Sequence, residues 1–431
     1  MKWLILISLL SFKNIVKSTL FKVGMLNNIS LLIRLFTGVI SAKMIAVFVG
    51  PAGMAFLGNF RNFSASLEAI TTMGFNQGVV KYVAENKNDQ QKLAKATSTI
   101  FIFMLGVVLL VAIALLIFRS YLNRYVFGGG FSFEFLFVVL AFAFPLQVLN
   151  GFFLAVINGL ERYRTVIQVN IIGNVLGFLL TIVCLYFWQL NGALLALIIA
   201  PALTGICSYG WVRRDLVVEL QYWDSSFLKS LFSYSAMAVF SAVLSPLTFF
   251  YIRTHLMKTQ GVLEAGYWEA LLRISGFYML FVITFVSVYF LPKLSIADSS
   301  KSIRKLIVEY LTRVLPLFAL GLVLFYFLRS WLIELLLDRS FLPLIDMIQW
   351  QLIGDFLKAF SMIYGILFYA KKLVIPFMIT EALSYVVFYV SSLFLTESYG
   401  VVGVPMAHCI TYLLYSATLL LYFTVYLKKM N

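Results

Sequence analysis

Charge is what this sequence has least of. Aspartate, glutamate, lysine and arginine make up only 12% of its 431 residues, against 62% hydrophobic. That balance excludes a soluble globular protein. Cysteine is also scarce: Cys184, Cys207 and Cys409 lie far apart, each within an apolar run. They form no disulfide framework and read as small packing residues. Histidine occurs twice, and no cluster has metal-ligand spacing. No nucleotide-binding glycine loop, nucleophile–base arrangement or sizeable polar domain is present, so no enzyme chemistry can be assigned. Alternation of period two is missing too, which excludes a transmembrane barrel.

What is there is a series of apolar segments of about 20 residues, each long enough to cross a hydrocarbon core of about 30 Å. The pattern predicts an all-α polytopic membrane protein with twelve transmembrane helices. They fall near 25–49, 54–80, 93–118, 133–157, 164–188, 191–211, 227–255, 262–291, 306–328, 343–370, 374–396 and 400–427. Residues 1–24 precede the first span. MKWLILISLLSF resembles a signal peptide but no small-residue cleavage site follows, so it reads as an interfacial segment or as the result of an upstream start codon.

Lysine and arginine sort by side. Of the 33, 21 lie on the side that holds both termini, including Lys81, Arg162, Arg213, Arg214, Lys293 and Lys371. Five (Arg119, Arg124, Lys258, Arg329 and Arg339) lie on the other side, and seven fall inside spans. The positive-inside rule then places both termini in the cytoplasm. The net charge of +15 is mostly this asymmetry, and no nucleic-acid role is needed to explain it. An even number of spans and a long central connection at 212–226 predict two pseudo-symmetric halves, an N-lobe over 25–211 and a C-lobe over 227–431.

The charges inside the spans are the candidate site. In span 1, Asn27, Ser30, Arg34, Thr37 and Ser41 recur at helical spacing on one face. Arg34 lies roughly 13 Å from one end of the span and 22 Å from the other, too deep to snorkel easily. Lys43, on the opposite face near the outer end, reads as a snorkelling anchor. Span 2 carries Arg61, Ser64, Glu68 and Thr72 on one face. Arg253 lies near the end of span 7, Glu269 and Arg273 are one turn apart in span 8, and Asp355 and Lys358 share span 10. Glu381 and His408 follow in spans 11 and 12.

Two readings of these charges stay open. Glu269 with Arg273, and Asp355 with Lys358, could be intrahelical pairs that neutralise each other, Arg253 an interfacial anchor, Glu381 a packing partner and His408 a hydrogen-bonded core residue. Arg34 and Arg61 have no acid within four residues on their own face, so each needs an interhelical partner or a watery cavity. In the cavity reading bases outnumber acids and the site attracts an anion. Arginine suits phosphate oxygens through its planar bidentate fork. Glu68, Asp355 and His408 are the candidates for proton or cation binding, although acids facing so many bases serve better as charge partners than as proton carriers.

Four strings, GPAGMAFLGNFRNF (Gly50 to Phe63), GFNQGVVKYVAE (Gly74 to Glu85), YFLPKLS (Tyr289 to Ser295) and WQLIGDFLKAFS (Trp350 to Ser361), resemble the Wzx-type flippases. These move O-antigen units, or the lipid III of enterobacterial common antigen, on a polyprenyl pyrophosphate carrier. They belong to the superfamily of multidrug/toxic-compound extruders and the lipid II flippase. The resemblance covers nearly the full chain. It implies two six-helix bundles forming a V around a central cavity, alternating access, and residence in the bacterial inner membrane. It puts Arg61, Lys81, Asp355 and Lys358 at motif positions, whereas Arg34 rests on its stripe alone. Substrate binding is expected at Arg34, Arg61, Glu68, Arg253, Glu269, Arg273, Asp355 and Lys358. Expected partners are the polyprenyl-pyrophosphate-linked oligosaccharide, membrane lipids, and the polysaccharide polymerase and chain-length machinery, with the protein itself a monomer. No cofactor is expected. Energy would come from a proton or sodium gradient, the membrane potential or consumption of the flipped product. The rivals are a MATE-like drug/cation antiporter, which would favour an acidic cavity, a membrane polymerase or ligase, and a non-transporting scaffold.

Overall fold

The structure is a computed structural model that describes residues 19–430 apart from 129 and 217, with side chains from residue 26 except 77 and 226–239. Residues 1–18 of the expected N-terminal segment lie outside the described residues. The described residues are mostly helical, and no strand occurs among them. The helices are α1 (Thr19–Thr72), α2 (Phe75–Asn86), α3 (Gln90–Ile117), α4 (Arg119–Phe127), α5 (Glu134–Gly159), α6 (Tyr163–Val212) and α7 (Ser225–Thr259). They continue with α8 (Val262–Phe285), α9 (Leu291–Ile296), α10 (Ser300–Glu309), α11 (Leu315–Leu336), α12 (Ile345–Ala370), α13 (Val374–Tyr399) and α14 (Gly403–Lys429).

Among the described residues, eight stretches are long and apolar enough to cross a membrane: Leu26–Thr72, Gln90–Ile117, Glu134–Gly159, Tyr163–Val212, Val262–Ile296, Ser300–Leu336, Arg339–Ala370 and Val374–Lys429. A bilayer core needs only about 20 helical residues, so the stretches of 47, 50 and 56 residues are more than twice that length. Each of the three is broken once, at Gly50 (φ 63°), Gln189 (φ 46°) and Gly400 (φ 59°). At the first break Gly50 takes the left-handed backbone, and Pro51 starts the next arm, where its missing N–H costs nothing. Large apolar side chains such as Phe142, Phe327, Ile117 and Leu421 face outward, as they must where the surroundings are lipid. Threonines and serines return their hydroxyls to the preceding turn, as Thr97 does to Leu93 and Thr411 to Ala407, which satisfies them without water. All three cysteines are free.

Two compact units are distinguishable. The first combines the chain up to Ser41 with Thr71–Leu122 and Phe133–Ser235; the second combines Ala42–Ile70, Asn123–Ser132 and the chain from Ala236 onward. In the first, α3, α5 and α6 share an aromatic core in which Phe101 meets Phe152 and Phe153, and Phe153 meets Tyr209. The connection expected as a linker at 212–226 is fastened within this unit. Arg162 grips Asp215 with two hydrogen bonds of 2.7 and 2.8 Å. The Glu219 N–H donates to Ser98 at 3.1 Å, the Asp224 N–H donates to Thr99 at 3.0 Å, and Lys95 pairs with Asp224 at 2.8 Å.

In the second unit the outer arm of α1, after Gly50, packs closely against α8. A side chain on Gly266 would collide with the backbone of Pro51, and one on Gly58 would collide with Glu269. Small residues let two membrane helices approach in this way. Lys43 does not act as a free anchor. Its Nζ donates to the Glu334 carbonyl at 2.6 Å, capping the orphan acceptors at the end of α11.

Candidate functional site

The close approach of α1 and α8 brings their charges together. Arg61 stands one turn beyond Gly58, and Glu269 one turn beyond Gly266. Arg61 Nη2 donates to Glu269 Oε1 at 2.7 Å. Helix α7 adds Arg253. It returns into α8 through a tight turn at Gly261 (φ 113°), with Arg253 eight residues before that glycine and Glu269 eight after. Positions equidistant from the turn face each other, and Arg253 Nη2 meets Glu269 Oε2 at 2.5 Å. Arg273, one turn along α8, donates Nε to Oε1 at 3.1 Å. The expected Glu269–Arg273 pair is therefore one part of a four-residue cluster.

Its charges do not balance. Three guanidinium groups share one carboxylate, which leaves a net charge of +2. Exposure grades the three: the side chain of Arg61 is 41% exposed, that of Arg273 13% and that of Arg253 1%, while Glu269 is fully buried. Arg253 is thus an interior residue, not an interfacial anchor. Its guanidinium lies 5.0 Å from the centre of the Trp268 ring, and its Nε and Nη1 are buried without a hydrogen-bond partner. Arg61 alone presents a large free surface, so any anion reaching the cluster would meet it first.

Asp355 belongs to a separate cluster in the same unit. The pair expected with Lys358 does not form: the ion-pair partner of Asp355 is His408, whose Nε2 lies 3.0 Å from Oδ1. Lys358 instead sits against the ring of Tyr412, 5.6 Å from its centre. Oδ2 of Asp355 accepts from Ser275 at 2.6 Å, Tyr278 at 2.5 Å and Gln351 at 3.1 Å. Gly354 provides the space, since a side chain there would run into the His408 ring. With five donor contacts satisfied, this carboxylate ties α8, α12 and α14 together. His408 is a hydrogen-bonded core residue that serves Asp355.

Three further expected residues complete the set. Arg34 is exposed on α1, in the first unit. Glu68 is half-buried on the outer arm of α1. Glu381, on α13, contacts Ser241 at 2.9 Å and Tyr415 at 3.3 Å. The donors Ser275 and Tyr278 escaped sequence reading because they sit on α8 beside Arg273 but serve a different neighbour. Gln351, four residues before Asp355, carried a readable signal.

Comparisons with known proteins agree with one another. The chain is 28% identical to the lipid III flippase of Escherichia coli (strain K12) over 390 residues, which span 90% of this chain and 94% of that protein. Among solved structures, an inward-facing MATE family multidrug resistance transporter of the MOP superfamily superposes with a TM-score of 0.80 at 14% identity, covering 94% of this chain and 98% of its own. The lipid II flippase MurJ, in an inward closed conformation, gives 0.74 at 16% identity, covering 93% and 87%. The fold is that of these transporters. The family described as polysaccharide biosynthesis protein matches residues 22–297, and the chain belongs to that family.

Proposed function

We propose that this protein is a flippase that carries a polyprenyl-pyrophosphate-linked oligosaccharide, an O-antigen unit or a related surface-polysaccharide precursor, from the cytoplasmic to the periplasmic leaflet. The observation that carries the proposal is the +2 cluster of Arg61, Arg253, Glu269 and Arg273. Such a lipid keeps its tail in the bilayer and must shield only its charged, sugar-bearing head. Glu269 acts as a resident anion that holds the arginines in place while the site is empty. An arriving pyrophosphate takes over Arg61, and then Arg273, through bidentate contacts. The site is exposed to each side of the membrane in turn. The relationship to the lipid III flippase supports this reading. A MATE-like cation antiporter fits less well, because a cationic cargo would be repelled by the same cluster.

The finer expectations belong to this proposal: twelve crossings in lobes over 25–211 and 227–431, both termini cytoplasmic, and placement in the bacterial inner membrane. So do a monomeric protein working beside the polymerase and chain-length machinery, and contributions to binding from Arg34, Glu68 and Lys358. The experiment is complementation of a flippase-deficient strain by Arg61→Ala and Arg61→Lys, with membrane levels checked by blot. Removing one charge-assisted contact should weaken substrate binding roughly ten- to a hundredfold. Wild-type surface glycan with Arg61→Ala would end the proposal.

A further inference from the structure

Three of the in-span carboxylates of the second unit, Glu269, Asp355 and Glu381, have surroundings that differ. Glu269 has three guanidinium groups. Asp355 has His408 and donors from Ser275, Tyr278 and Gln351. Glu381 has two hydroxyl contacts, Ser241 Oγ at 2.9 Å and Tyr415 Oη at 3.3 Å. Among the described residues it has no ion-pair partner. An ionised carboxylate so placed in a membrane is costly and marks a functional site by default. Either a proton or a cation must relieve it.

The lysine that shares this neighbourhood is Lys358. Its ammonium rests against the Tyr412 ring, 5.6 Å from the ring centre, and it acts through space on both Asp355 and Glu381 while forming an ion pair with neither. The Tyr412 ring lies between the two sites, 4.8 Å from His408 and 6.1 Å from the Tyr415 ring. The groups facing Glu381 are Ser241 on α7, Lys358 and Tyr369 on α12, Tyr385 on α13, and Tyr412 and Tyr415 on α14. Lysine on a flexible four-carbon stem can move between partners where an arginine fork would be fixed.

We propose that Glu381 is a proton-binding site and that Lys358 reports its state: with the proton bound, Lys358 is free to contact an anion, and with the proton gone, Glu381 captures Lys358. The balance is one proton added to one carboxylate oxygen, giving a neutral acid hydrogen-bonded to Ser241 and Tyr415. Proton and anion then bind with positive linkage, each raising the affinity for the other by the same factor. This proposal rests on the anion-transport reading above and names an ion that couples to it. Asp355 is a weaker proton site, because its oxygens are already filled by five contacts.

The test is binding of inorganic pyrophosphate to purified protein in detergent, at acid and alkaline pH, for wild type, Glu381→Gln and Lys358→Gln. The probe's own titration cancels when variants are compared at the same pH. Wild type should bind about tenfold more weakly at alkaline pH than Glu381→Gln does, the effect of one charge-assisted contact, and the two should converge at acid pH. Lys358→Gln should bind weakly at both. Proton uptake on binding, followed with an indicator dye in weak buffer, should fall by one proton per molecule in Glu381→Gln. Thermal unfolding checks that each variant is folded, and Glu381→Asp, which keeps a titratable group, should keep the pH dependence. Identical pH profiles for wild type and Glu381→Gln would overturn the proposal while leaving the Arg61 reading intact. Wild-type pyrophosphate binding by Arg61→Ala would instead strike at the anion site itself.

Discussion

Replacing Glu269 with glutamine separates stability from binding at the arginine cluster. The change keeps the shape of the side chain and one acceptor but removes the only negative charge among three guanidinium groups. Arg253, 1% exposed, then has no counter-charge and two nitrogens already unpartnered. Removing one member of a buried ion pair costs about 3–5 kcal/mol. Removing Arg61 breaks a different bridge to the same carboxylate, one whose arginine is 41% exposed, so solvent screens the interaction and the expected cost is only about 0–1 kcal/mol. One cluster therefore predicts two unequal outcomes. Glu269→Gln should lower the thermal unfolding midpoint and membrane level of the protein, while Arg61→Ala should change neither and lose transport. Replacing Arg253 and Glu269 together, by methionine and leucine, should recover part of the lost stability, since the most deeply buried guanidinium leaves with its partner while Arg273, 13% exposed, still loses Glu269. The assay is thermal unfolding of each purified variant in one detergent, alongside complementation. Equal midpoints for wild type and Glu269→Gln, or equal losses for Glu269→Gln and Arg61→Ala, would refute the burial argument.

Other expectations test the remaining parts. Arg61→Lys should fail nearly as badly as Arg61→Ala if bidentate geometry matters, and should retain most activity if charge alone does; surface glycan measures which. Gly58→Ala should impair transport although alanine favours the helix by roughly 0.5–1 kcal/mol, because its side chain meets Glu269; normal transport would show that the α1–α8 approach is not required. Arg162→Ala should expose the connection near Asp215 to protease without lowering the unfolding midpoint, since the pair closes a surface loop. Reporter fusions after Asp215 and after Asp338 should report opposite sides of the membrane, with Asp215 cytoplasmic, if the lysine and arginine asymmetry sets orientation.

The membrane character and the all-helical architecture were legible in composition alone, because a bilayer leaves a chain few alternatives. The in-span charges were legible as a set for the same reason. Their pairing was not. Sequence spacing offers partners within one helix, and it suggested Asp355 with Lys358; the structure gives Asp355 to His408, 53 residues away. It likewise offered Arg273 for Glu269 but could not see Arg61, 208 residues away in sequence. Interhelical pairing depends on which helices pack and at what height, and neither follows from periodicity. The contacts of the connection at 212–226 were likewise invisible in sequence. Its length and position suggested a linker between halves, and Arg162, Ser98, Thr99 and Lys95 fasten it within the first unit.

A signal for the missing pairs was nonetheless present in the glycines. Gly58 precedes Arg61 by one turn, Gly266 precedes Glu269 by one turn, and Gly354 directly precedes Asp355. In each case a side chain at the glycine would strike the partner helix or the partner's charged group. Two charged side chains can meet across a helix interface only if the backbones come close, and a small residue about one turn away is what permits that approach. A lone arginine in an apolar run is hard to interpret by itself. An arginine one turn beyond a glycine, on a helix that must pack against another helix carrying a glycine one turn before a glutamate, is already half of an ion pair. By the same logic Glu381 stands out. No glycine lies within four residues of it in either direction, and among the described residues it makes two hydroxyl contacts and no ion pair. The lack of a nearby glycine thus sets Glu381 apart from Glu269 and Asp355, the two carboxylates built into ion pairs.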